Sequence, residues 1–100
     1  MPASSMKLVT IVCEALARSA VVRLLREVGA HGYTIFEVEG DGAGGERTTE
    51  MLEFANIQIN VLLPPSASER LMTELESEFF PRYAMIAYET DVKVRRPAKF

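Results

Sequence analysis

The sequence predicts an α+β fold, a ferredoxin-like βαββαβ sandwich: an antiparallel sheet with two helices on one face. Three observations predict it. Strand-like and helix-like periodicities alternate in that order along 100 residues, too few for a second domain. Each βαβ half takes about 45 residues, the size such a unit needs. The first strand is apolar on both faces, as a central strand covered on one side by helices and on the other by something outside the chain must be.

Lys7-Leu-Val-Thr-Ile-Val-Cys13 is that strand, rich in β-branched residues. Leu8, Thr10 and Val12 face one way; Val9, Ile11 and Cys13 face the other. Glu14 to Val28 is the first helix. Ala17, Val21, Leu24, Leu25 and Val28 form one stripe, and Arg18, Arg23, Arg26 and Glu27 lie off it. Gly29 ends the helix, since a left-handed φ costs glycine little. Tyr33 to Glu39 is the second strand, with Thr34, Phe36 and Val38 on one face and Tyr33, Ile35, Glu37 and Glu39 on a wetter one.

Gly40-Asp-Gly-Ala-Gly-Gly45 opens a loop to Phe54 and is expected to hold no regular structure. Asn56 to Leu62 is the third strand; Ile57, Ile59 and Val61 face the core. Ser66 and Glu69 have capping-box spacing, so the second helix is expected to start there and to end at Pro81. Leu71, Met72, Leu75 and Phe79 are its buried stripe. Ala84 to Tyr88 is the fourth strand, and Val92 to Arg95 a short extension or fifth strand. Residues 1–6 read as a loose leader, 7–96 as the domain and 97–100 as a tail. The open sheet face is apolar and uncovered, which predicts an oligomer packed through it.

Apolar residues make up 48% and charged residues 25%, ordinary globular usage that argues against disorder. A net charge of −3 argues against a nucleic-acid binder. The lone Cys13 excludes an intrachain disulfide scaffold. With no signal-like start and no apolar run of membrane-spanning length, the expected home is the cytoplasm.

Gly40, Gly42 and Gly45 fit G-x-G-x-x-G, but no helix opens at the last glycine, so a dinucleotide fold is not indicated. One Cys and one His, His31, cannot build a zinc site within one chain. No acid–base or nucleophile set emerges, so no enzyme is expected. Charge separation is the stronger signal. Lys93, Arg95, Arg96 and Lys99 place four of the eleven basic residues in the last eight positions. Lys93 and Arg95 share one strand face, which suits a phosphate or carboxylate. Arg47 is the one cation among six acids between Glu37 and Glu53.

The ordered set Gly29-Ala-His-Gly-Tyr-Thr34, Val38-Glu-Gly-Asp-Gly42, Arg47, Ala55-Asn-Ile-Gln-Ile-Asn-Val-Leu62, Phe80-Pro-Arg-Tyr-Ala-Met-Ile-Ala-Tyr88 and Val92-Lys-Val-Arg95 resembles PII signalling proteins. It is most similar to the PII-like branch associated with bicarbonate transporters and carboxysomes. The resemblance implies a homotrimer that binds adenine nucleotides in clefts between subunits. It also implies a loop, the T-loop at about residues 40–54, that contacts a target protein, a bicarbonate transporter or carboxysome component. Bicarbonate is implied as a further ligand. Carried over residue by residue, Gly32, Tyr33 and Thr34 line the nucleotide cleft, Gly40 and Gly42 start the T-loop, Arg47 reaches the phosphates, and Lys93 and Arg95 approach across the cleft. Asp41 stands where the family has a lysine, and the basic residue expected near Gly44 is missing. Fewer cations imply AMP or ADP rather than ATP, each charge-assisted contact contributing about 1.5–3 kcal/mol. The competing reading is a CutA-type trimer responsive to divalent metal, using His31, Cys13, Glu37, Glu39 or Asp41 between subunits.

Overall fold

The computed structural model describes residues 4–39, 41–42, 45–46 and 56–97. Strand β1 (Ser4–Glu14) leads through a 3-10 turn (Ala15–Ala17) into helix α1 (Arg18–Glu27). Strand β2 (Thr34–Val38) follows, then the two-residue strands β3 (Asp41–Gly42) and β4 (Gly45–Glu46). Strand β5 (Asn56–Leu63), helix α2 (Pro65–Glu74) and strand β6 (Met85–Val94) complete the fold. The main sheet is antiparallel in the order β2-β5-β1-β6. Both helices pack on one face, as the periodicities require.

The core lies between sheet and helices. Val9, Ile11, Ile59 and Val61 from the sheet and Val21, Leu25, Leu71 and Leu75 from the helical segments are fully buried. Burying each such side chain stabilises the fold by roughly 1.5–3 kcal/mol. Gly29 ends α1 with φ +89°. Its N–H donates to the Arg26 carbonyl at 3.1 Å, and the Ala30 N–H to the Leu25 carbonyl at 2.9 Å, a Schellman closure.

Five local expectations are corrected. First, β1 begins at Ser4, not Lys7, because Ser4, Ser5 and Met6 pair with Val94, Lys93 and Val92. That pairing also merges the expected fourth strand and its extension into one ten-residue strand, so Val92 to Val94 continue it and form no separate strand. Second, the faces of β2 are reversed: Ile35 pairs with buried Ile59 and packs on the core, while Phe36 pairs with Gln58 and is 42% exposed. Alternation alone does not orient this strand, because both of its faces carry apolar side chains.

Third, α2 starts at Pro65 with Pro64 as N-cap and no side-chain capping bond, so the Ser66–Glu69 box does not form. Proline at the first helical position supplies the required φ and has no N–H to satisfy. Fourth, α2 continues as a π turn over Leu75–Phe79, closed by the Phe80 N–H donating to the Leu75 carbonyl at 2.8 Å. Fifth, part of the glycine-rich stretch is paired after all, Asp41 with Glu46 and Gly42 with Gly45.

Among the described residues nothing covers the second sheet face. Ladder register puts Phe36, Gln58, Val12 and Ile86 in one cross-strand row, and Thr34, Asn60, Thr10 and Tyr88 in the next. Ile86 is 59% and Tyr88 50% exposed there.

Candidate functional site

Each expected site residue that the structure describes has a definite place. Gly32 and Tyr33 lie in the connection from α1 to β2, and both are half-buried. The Tyr33 ring packs against the core and, on its outer side, lines a cleft of about 300 Å³ with Arg18, Ser19, Val22, Arg23 and Arg26 of α1. Thr34 opens β2 and turns to the uncovered sheet face. Gly42 sits in the β3–β4 ladder. Gly40 and Arg47 lie outside the described residues, as does Lys99.

Lys93 is exposed near the end of β6 and pairs with Ser5. It lines a cleft of about 400 Å³ with Ser5, Met6, Pro65, Asp91 and Val92. Arg95 follows β6 directly and is exposed, and Arg96 beyond it holds φ +57°. A positive φ in a non-glycine residue is uncommon, and it turns the chain sharply after the strand.

A polar network anchors the Lys93 cleft from behind. Lys7 Nζ contacts Asp91 Oδ1 and lies 3.8 Å from Glu89 Oε1. Ser68, buried on α2, donates its hydroxyl to Glu89 Oε2 at 3.0 Å. Hydrogen bonding to Asp91 raises the Lys7 pKa above its ordinary value, helped by the Asp91 and Glu89 charges and opposed by partial burial. Asp91 is thereby engaged by Lys7, which leaves Lys93 the cation of its cleft.

Thr34 and Lys93 do not meet within one chain. The register places Thr34 level with Tyr88, five residues before Lys93, and β2 and β6 are opposite sheet edges. Three strand spacings across and five residues along amount to about 20 Å in a flat sheet. One chain therefore does not bring the two groups to a common phosphate.

Sequence reasoning missed the α1 arginine cleft and the Lys7 network. Helical spacing puts the arginines off the buried stripe, where exposed charge is ordinary, and only the fold brings Tyr33 up beside them. The network joins residues far apart in sequence, Lys7, Ser68, Glu89 and Asp91, and no local pattern announces it. Among the described residues no group of three or more His, Cys, Asp and Glu is placed to hold a metal. Nor is any helix among them long and apolar enough to cross a membrane.

The sequence matches the family described as nitrogen regulatory protein P-II over residues 6–99. A PII-like signalling protein of Thermus thermophilus superposes with a TM-score of 0.86 at 37% identity, over 100% of this chain and 99% of that one. CPII of Thiomonas intermedia, a nitrogen regulatory PII-like protein solved with ADP, AMP and bicarbonate, superposes with a TM-score of 0.88 at 25% identity, over 98% of this chain and 95% of that one. CPII bound to ADP and bicarbonate gives 0.87 at 26% identity, over 98% and 96%. No curated protein matches the sequence.

Proposed function

Since the chain belongs to the nitrogen regulatory protein P-II family and is a PII-like signalling protein, we propose that it senses adenine nucleotide in clefts between the copies of a homotrimer. AMP and ADP are the favoured ligands, with bicarbonate as a second. Through the loop at residues 40–54 the trimer regulates a target linked to inorganic-carbon uptake, a bicarbonate transporter or a carboxysome component.

The observation that carries this reading is the likeness, over nearly the whole chain, to CPII bound to ADP and bicarbonate. Two features of the chain support it. The uncovered sheet face, with Phe36, Ile86 and Tyr88 exposed, has the apolar character of a surface that copies of the chain bury. The separation of Thr34 from Lys93 suits a ligand whose walls come from more than one copy.

The experiment is a thermal-shift panel of AMP, ADP, ATP and bicarbonate, with molar mass from light scattering. A ligand that binds only the folded form raises the melting temperature. Trimer mass with a larger shift for ADP or AMP than for ATP is the expected result. A monomer in dilute solution, or no shift with any adenine nucleotide, overturns the proposal.

A further inference from the structure

We propose that the outer face of α1 is a docking site for an acidic peptide segment of a partner protein, and that Tyr33, which the family resemblance gives to the nucleotide cleft, serves this site instead. Arg18, Arg23 and Arg26 line one cleft with Ser19, Val22 and Tyr33. All three arginines are exposed, and none forms a salt bridge among the described residues. The chain as a whole is acidic, with net charge −3, so a cleft whose charged walls are all guanidinium is a local inversion. Guanidinium groups bind carboxylates through paired N–H donors, which gives the cleft a chemical preference as well as a charge.

Spacing decides the kind of occupant. From Arg18 to Arg26 the helix rises about 12 Å. A single small oxyanion cannot meet charges spread over that length. Alternate carboxylates on an extended peptide recur about every 7 Å and can meet them in turn. Nucleic acid has similar phosphate spacing, but it brings a dense line of charge against an acidic protein and needs stacking surfaces beyond the single Tyr33. Packing of copies through the open sheet face would leave the site accessible. The site lies on the helix side, whereas the apolar surface available for packing copies together is the opposite side of the sheet.

The test is fluorescence anisotropy with a fluorescein-labelled peptide of alternating Glu and Ser, titrated with the full chain at low and moderate salt. The expected result is saturable, salt-sensitive binding, weakened about tenfold by Arg23→Ala/Arg26→Ala together. Arg18→Ala weakens it less, and Arg70→Ala, on α2 beside a different cleft, leaves it unchanged. Saturating ADP does not displace the peptide, whether or not ADP binds elsewhere. The proposal is overturned if the peptide does not bind, if the double variant binds as well as the parent, or if Arg70→Ala weakens binding equally. It is equally overturned if ADP displaces the peptide, or if tripolyphosphate or polyuridylate binds the same arginines more tightly. The arginines are exposed, so melting curves of the variants matching the parent show that the fold is intact.

Discussion

Ser68 on α2 donates its hydroxyl to Glu89 on β6 at 3.0 Å, across 21 residues of sequence. Ser68 is 1% exposed, so its hydroxyl has no water to replace that acceptor. The bond and the Lys7 contacts to Glu89 and Asp91 pin the middle of β6. Lys93 lies two residues beyond Asp91 and inherits its position from this network.

Ser68→Ala therefore destabilises the fold by about 1 kcal/mol, the net worth of one such bond where the orphaned carboxylate is part-solvated. Urea unfolding measures it as a lower midpoint with an unchanged slope. No shift in the midpoint would mean that Glu89 is held by Lys7 alone.

Gly29→Ala costs about 1–2 kcal/mol, for a reason independent of packing. A Cβ at residue 29 meets nothing within 4 Å, but φ is +89°, where side chains are strained. Thermal unfolding should show the loss, and Gly29→Asn should recover part of it, because Asn tolerates left-handed φ better than Ala.

Much of this fold was legible in the sequence. The core stripe of α1, the alternation of β5 and the glycine stop at Gly29 are local, and local rules read them. What was not legible is the pairing of strand ends. Ser4 to Met6 look like a loose leader until Val92 to Val94 are placed beside them. The face of β2 was equally hidden: Ile35 and Phe36 are both apolar, and only pairing with Ile59 and Gln58 decides which one goes inside. The polar part of the candidate site was half legible. The cluster Lys93–Arg95 stands out by composition, whereas the engagement of Asp91 by Lys7, which leaves Lys93 as the cation of its cleft, is a tertiary fact.

Cys13 gives a pH-dependent signature. Burial, with a smaller contribution from the Glu14 charge, pushes its thiol from 9.0 to about 11. The folded chain thus keeps a proton that the unfolded chain releases above pH 9. Stability from this group is fully present below pH 9 and is lost as pH rises toward 11. Lys7, also raised, adds loss in the same direction above its ordinary 10.5. Comparing urea midpoints of the parent and Cys13→Ala isolates the thiol: the fall between pH 9 and 11 should be shallower in the variant. Parallel curves would show that the thiol ionises equally in both states.

The open sheet face gives a direct test of association. Ile86 and Val12 are paired across β6 and β1, and Tyr88 pairs with Thr10 one row on. Ile86→Glu places a carboxylate in the middle of that apolar row. Burying it between copies leaves an unpaired charge, which costs several kcal/mol. In a single chain the position is 59% exposed and the change is nearly neutral. Light scattering should therefore report a smaller species whose secondary structure, by circular dichroism, is unaltered. A trimer that persists with Glu at position 86 would move the interface to another face.

Removing cations one at a time tests where the phosphates sit. Lys93→Ala, Arg95→Ala and Arg47→Ala should each weaken ADP binding about tenfold, since each deletes one charge-assisted contact. AMP has one phosphate fewer, so it should lose less in whichever variant removes the cation nearest the terminal phosphate. That difference ranks the three residues along the phosphate chain without a bound structure. Electrostatic origin has its own check: raising salt should narrow the gap between parent and variant, because exposed charges are screened. The molar mass in solution should not change, as Lys93 and Arg95 are exposed and make no part of the apolar face. Titration calorimetry that finds parental ADP affinity in all three variants would place the phosphate site away from the end of β6 and from the loop.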